Sequence, residues 1–492
     1  MHNKRILMAA VLSALLLLGG LQFSEAAQSN QTPIKHLVII MMENHSFDNI
    51  FGTYGKLQNG SIARNVSIPY NLVSHHIHQN LSAVSNGSFN TGDPYEGYSN
   101  YHADWNNGSM DGFFNNSGPD SLKYFTSSQM GLEWYLAHQY SIADMYFSST
   151  LSETLPNRLY SLAGFSPVRA DQLTPPPFVP YDQTIFNEMD SYGVNWAYYL
   201  KTPVLGDSPL DFISGMAPHL SNIGTWENFF SSVQNGTLPQ VSWISPVSGA
   251  AFGYSQHPPD NILAGEIWMF YFIHLIMESK YWNSTAIFVT YDEGGGYYDQ
   301  VAPPKIDGHQ LGFRVPFILI SPYAKENYVS STIMSHTSIL GFIDYNWNMP
   351  ALNPLVSASN LMLDMFDFNM PYSSGTAIRP PLNFTNDFLN MLPATPVDSI
   401  ALAGTFNNVS RLYPGQLQFN VSSLPYTDHG KSNTSMSNFS ENVFVKDNYG
   451  FTPWYFNAFI TVPVAIAAVS LAIYGSFQLV RKRFRNRKRP KK

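Results

Sequence analysis

Two groups of oxygen ligands stand about 250 residues apart, each directly after an apolar run. His36-Leu-Val-Ile-Ile-Met-Met42 opens into Glu43-Asn44-His45-Ser46-Phe47-Asp48, and Thr285-Ala-Ile-Phe-Val-Thr-Tyr291 opens into Asp292-Glu293 and three glycines. Glu43, Asp292 and Glu293 bring carboxylates and Asn44 an amide oxygen, a hard donor set that suits one divalent cation. Acidic residues after strands also cap helices, so either group alone leaves both readings open.

Runs this apolar read as strands covered on both faces of a parallel sheet, and such sheets gather their sites at the strands' carboxyl ends. A metal site assembled from both halves of the chain follows, with the glycine turn letting the backbone approach closely. Residues 131–140, 262–280 and 337–345 read as helices, and 143–147, 194–200, 240–244 and 315–320 as further strands. The Gly-, Asn- and Ser-rich stretch 53–130 reads as an extended insertion and the proline-rich 167–183 as a loop. No internal repeat is present.

The segment from Glu43 to Gly52 resembles the opening signature of the phosphoesterase family that includes bacterial phospholipases C and acid phosphatase A type enzymes. Further similarities follow in order: His102 with Asn107 to Phe113, Thr154 to Tyr160, His257-Pro258-Pro259, Tyr291-Asp292-Glu293, Arg314-Val315-Pro316 with Ser321-Pro322-Tyr323, and His336 to Leu340. They span 36 to 345. The resemblance implies an α/β three-layer sandwich with a largely parallel central sheet, alkaline-phosphatase-like. It also implies Thr154 as a hydroxyl nucleophile, His102, His257 and His336 as site histidines, and Asn157 and Arg158 as substrate-side residues. Thr154 alone reads as a helix cap before it reads as a nucleophile, and Arg158 reads nearly as well as half of a buried ion pair as a phosphate clamp. A threonine hydroxyl is a poor nucleophile, and a divalent metal beside it supplies alkoxide character. Departures from the family pattern are Ser152-Glu153 where Gly-Pro is usual, and Gly294, Gln300 and Ser335 where the family has histidine, another side chain and aspartate.

The ends place this domain. Residues 1–27 hold Lys4-Arg5, an apolar core and small residues before a cleavage point, the pattern of an export signal. Residues 454–480 are apolar for long enough to cross a bilayer, and nine Lys or Arg follow in 481–492, giving a C-terminal transmembrane helix with a cytoplasmic tail. The chain thus divides into signal, catalytic domain 28–351, stalk or accessory region 352–453, membrane helix and tail. The expected location is the cell membrane, single-pass, with the catalytic domain extracellular.

Between 28 and 480 there are 15 Lys or Arg against 33 Asp or Glu, so no basic patch offers a nucleic-acid surface. The absence of cysteine excludes disulfides and thiolate zinc sites. Sequons such as Asn107, Asn235, Asn283 and Asn383 fit N-linked glycans. Charged residues make up 12%, about half the usual share, which suits a surface exposed to acid or one covered by glycan. Together with these features, the resemblance implies a metal-dependent phosphoesterase acting on a phosphate ester, preferably an acid phosphatase, with phospholipase C as the alternative. A non-catalytic envelope protein is the reading from another class.

Overall fold

Six consecutive apolar residues, Leu37 to Met42, need cover on both faces, and His36–Met42 (β1) finds it at the centre of an eight-stranded sheet. The computed structural model describes residues 30–54, 81–85, 88–172, 175–201, 208–247 and 253–369. The segments expected to be the signal (1–27), the membrane helix (454–480), the tail and most of the stalk lie outside the described residues. Among the described residues no helix is long and apolar enough to cross a membrane.

After β1 come α1 (Phe47–Phe51), α2 (Tyr98–Trp105), α3 (Gly131–Gln139), β2 (Ser141–Ala143), α4 (Thr154–Ala163) and α5 (Ile185–Tyr192). They are followed by β3 (Trp196–Leu200), β4 (Ile223–Thr225), α6 (Trp226–Asn235), β5 (Val241–Ile244) and α7 (Ile262–Met277). Then come β6 (Thr285–Tyr291), β7 (Phe317–Ile320), β8 (Tyr328–Ser330) and α8 (His336–Asn346). The sheet runs β8-β2-β7-β6-β1-β5-β3-β4 and is parallel except where β7 pairs with β6 and β2. A parallel return needs a crossover element, usually a helix, and residues 292–316 carry none, so β7 comes back antiparallel.

Register decides where the site forms. β1 and β6 pair in parallel from His36↔Thr285 to Met42↔Tyr291, so Glu43 and Asp292 leave the sheet side by side. The backbone continues the pairing one step further, with the Asp292 N–H on the Met42 carbonyl at 3.1 Å. Every residue of β6 is buried, which requires a layer on each face. The helices supply it in two packed groups: α7 against α3 and α6, and α4 against α5 and α8. α7 is apolar around almost its whole circumference because it is enclosed, with Asn261 capping its first turn by accepting from Ala264 N.

The core extends past 351, the boundary expected from the sequence. Val356, Met362, Met365 and Phe366 belong to the main hydrophobic cluster, and Phe366 stacks on Phe342 of α8 at 5.5 Å between ring centroids. The apolar residues scattered through 352–369 have no periodicity, so their burial was not visible in the chain itself.

Buried acids face each other on two pairs of helices. Glu266 of α7 hydrogen-bonds Glu133 of α3, and burial followed by the Glu133 charge holds its carboxyl well above the ordinary glutamate range. Asp344 of α8 is pushed up to about 8 by burial and by Glu188 of α5, itself raised to about 7 by burial. Folded-state values above the unfolded ones mean that the contribution is fully present in acid and lost as pH rises through about 7 to 8. Asp344→Asn, which removes this titration, should therefore raise the melting temperature at pH 8.5 by roughly 2–5 °C relative to the parent and change it little at pH 5. Equal effects at both pH values in calorimetry would contradict the assignment.

Candidate active site

The turn after β1 places Asn44 in a left-handed conformation (φ 61°) and buries it completely. Gly295, at φ 62°, packs so closely on this turn that a Cβ on it would come within 2.1 Å of the Asn44 carbonyl, which accounts for the glycine at that position. Asp292 Oδ1 accepts from Asn44 N at 3.2 Å and from Glu293 N at 2.8 Å. The two halves of the ligand set are thus tied through one carboxylate.

α4 brings Thr154 to the same point. Glu153 is extended, Thr154 starts the helix, Pro156 sits in the first turn where its missing N–H costs nothing, and Gly164 at φ 70° ends it. Thr154 is half-buried, and its Oγ1 lies 3.5 Å from Asn44 Oδ1. Leu155 N donates to Asp171 Oδ1 at 2.7 Å. Asn157 commits its side chain to the preceding loop: Oδ1 accepts from Thr150 N, and Nδ2 donates to the carbonyls of Thr150, Ser152 and Glu153 at 2.8–3.2 Å. These bonds hold the approach to Thr154.

Arg158 is 4% exposed and bridges the strand ends. Nε donates to Asp292 Oδ2 at 2.9 Å and one terminal nitrogen to Glu43 Oε1 at 3.0 Å, with Ser245 Oγ and the Met41 carbonyl each at 3.3 Å. The guanidinium therefore serves the ion pair. A small cavity lined by Ile39, Met41, Arg158 and Tyr198 lies beside it.

The three histidines part company. His336, at the start of α8, donates Nε2–H to the Asp292 carbonyl at 2.7 Å and accepts at Nδ1 from Tyr146 OH at 3.1 Å. Burial lowers it to about 4, so it is neutral and positions the Asp292 backbone. His257 stands 3.6 Å from Glu96 Oε1 and 3.1 Å from Asn44 Nδ2, the two nitrogens sharing the Glu96 carboxylate. Burial would lower it, but the Glu96 hydrogen bond and the charges of Glu43 and Glu96 overcome that and raise it to about 10, leaving an imidazolium at the mouth. His102 on α2 donates to the Tyr98 carbonyl at 2.8 Å and packs against the Tyr98 ring at a 36° tilt, and no described contact joins it to Thr154. His45 is bonded at both nitrogens, to Asn49 and the Gln256 carbonyl, and is structural.

Glu96 and Tyr101 were not legible in the chain. Glu96 accepts from Asn44 Nδ2 at 2.6 Å, and Tyr101 OH donates to Glu293 Oε2. Both lie in the stretch read as an insertion, although Tyr101 adjoins the motif histidine His102. Of the departures, Ser335 caps α8, and Gln300 N donates to Asp48. Asp48 and Asp299 form a second clamp with Arg314. Among the sequons, Asn107 and Asn235 are exposed, Asn283 is half-buried and Asn44 is enclosed.

Of the four acids Glu43, Glu96, Asp292 and Glu293, only Glu43 and Asp292 are paired with Arg158, and Glu293 Oε1 is buried with no hydrogen-bond partner. Burial raises Asp292 to about 6 against the pull of Arg158, and burial with the Glu96 and Asp292 charges raises Glu293 well above its usual range. Among the described residues no three acidic or imidazole side chains by themselves enclose an ion. With the Asn44 amide oxygen and the Thr154 hydroxyl added, the donor chemistry and the excess negative charge fit a divalent cation.

Comparison with known proteins gives a match to the phosphoesterase family over residues 34–350, the same span as the motifs. Phospholipase C A of Mycobacterium tuberculosis is 28% identical over 446 residues, covering 74% of this chain and 82% of the relative. The non-hemolytic phospholipase C of Burkholderia pseudomallei is 28% identical over 404 residues, covering 64% and 55%. Among solved structures, an alkaline phosphatase superfamily protein from Vibrio parahaemolyticus aligns at 11% identity over 68% of this chain and 74% of that one, with a TM-score of 0.35.

Removing one partner of a buried ion pair costs about 3–5 kcal/mol, so Arg158→Met should lower the melting temperature by several degrees. A variant with the parent's melting temperature and only a raised KM would instead make Arg158 a substrate clamp.

Proposed function

The chain belongs to the phosphoesterase family, a hydrolase acting on phosphoester bonds, and from that premise we propose that Thr154 attacks phosphorus and forms a covalent phosphothreonine. The observation that carries this reading is the half-buried Thr154 hydroxyl, at a helix start and 3.5 Å from the Asn44 oxygen, in a nest of carboxylates. Asn157 fixes the loop that presents it, and the N-terminus of α4 turns its partial positive charge toward the phosphoryl group. His257, cationic and at the mouth, faces phosphoryl oxygens or protonates the leaving oxygen. Glu43, Asn44, Thr154, Asp292 and Glu293 would hold one divalent ion. Bound there, it would lower the pKa of the hydroxyl and offset phosphoryl charge.

For substrate we favour a phospholipid headgroup diester, the phospholipase C reading. Support comes from the relatives' names and from the charge of the mouth, where Asp93, Glu96 and Glu153 disfavour a phosphomonoester dianion more than a singly charged diester. The acid phosphatase preferred from the sequence becomes the second reading, and the non-catalytic envelope protein is set aside with family membership. Residues 454–480 would anchor the enzyme in the cell membrane with the domain outside and Asn107 and Asn235 open to glycans.

Thr154→Ala should lose roughly 10³-fold or more in kcat with fold and metal retained, while Thr154→Ser keeps substantial activity because it keeps the hydroxyl. Near-parental Thr154→Ala would move the attack to water. A phosphocholine diester should be turned over faster than a chromogenic phosphomonoester, and the reverse order would restore the acid phosphatase. Truncation before Trp454 should release active enzyme into the medium, and retention of the truncated chain on cells would refute the anchor.

A further inference from the structure

We propose that Glu96, in the loop leading into α2, is a positioning residue that orients the Asn44 amide for Thr154. The inference rests on Thr154 being the nucleophile. Asn44 is fully buried, and its backbone is held by the left-handed turn and by Asp292 Oδ1. What stays free in such a residue is the exchange of the amide's two ends by rotation about its last torsion. A carboxylate oxygen accepts from the amide nitrogen, so Glu96 Oε2, at 2.6 Å, selects the nitrogen end, which also lies 3.1 Å from His257 Nε2. The oxygen end is thereby directed to Thr154 Oγ1.

Inverted, Asn44 would point an N–H pair at the nucleophile and could neither accept from its hydroxyl nor ligate a cation. Glu96 is well placed to prevent this. It also faces His257 Nε2 at 3.6 Å and Tyr101 OH at 3.4 Å, and Tyr101 in turn donates to Glu293. One half-exposed side chain outside the two ligand groups therefore connects Asn44, His257 and Glu293.

The test uses Glu96→Ala, Glu96→Gln and the pair Asn44→Asp with and without Glu96→Gln, measuring kcat, KM, melting temperature and bound metal per chain. Removing an outer hydrogen-bond partner typically lowers activity or metal affinity 10–100-fold, so Glu96→Ala should lose roughly that factor in kcat or metal occupancy at little cost in KM or melting temperature. Glu96→Gln, whose amide oxygen still accepts from Asn44 Nδ2, should recover most of the loss. Asn44→Asp sets carboxylate against carboxylate, and adding Glu96→Gln restores a donor, so the double variant should exceed the single Asn44→Asp. Parental kcat and metal content in Glu96→Ala, equal damage in Gln and Ala, or no gain in the double variant would each overturn the proposal. Failure of the nucleophile reading would appear separately, as an active Thr154→Ala with Glu96 intact.

Discussion

Arg158 lies buried between Glu43 and Asp292, and the arrangement of the mouth depends on it. The register of β1 and β6 brings two carboxylates together where they leave the sheet, an arrangement that repels itself in a low-dielectric interior. A guanidinium from α4 bridges them and so ties both strand ends to the helix that begins with Thr154. The planar fork suits this, since two acceptors at fixed positions are met by nitrogens of one rigid group. Its contribution is geometry more than net stability, because desolvating three charges offsets much of their attraction.

Around that bridge the structure spends neutral groups on positioning and leaves charge at the opening. His336 holds the Asp292 backbone as an uncharged ring, and Asn157 holds the loop before Thr154. His257, unlike His336, is raised by Glu96 and Glu43 against burial to a cation. The remaining acids exceed what Arg158 and His257 neutralise, and the Glu293 oxygen without a partner lies among them. A site so charged suits a further cation.

Much of this was legible in the chain because it rests on long apolar runs. β1 and β6 occupy the residues expected of them, and the ligand groups follow directly at their ends. Short edge strands such as β4 and β8 were not visible, since three residues carry no period, and the amphipathic α6 was missed. The roles of Arg158 and Asn157 turned on partners supplied by tertiary structure: an arginine four residues after a nucleophile reads the same whether it binds phosphate or closes an ion pair. Glu96 escaped notice because an acid in a Gly- and Asn-rich stretch has no pattern to distinguish it.

The central claim is that Thr154, set at the junction of β1, β6 and α4, takes the phosphoryl group. Acid quench of the enzyme during steady turnover of a labelled phosphate ester, followed by peptide mapping, tests it most directly. Label on the peptide containing Thr154, absent from Thr154→Ala, is the result this account predicts. A parent enzyme that turns over rapidly yet traps no label on that peptide, with Thr154→Ala equally active, would contradict it.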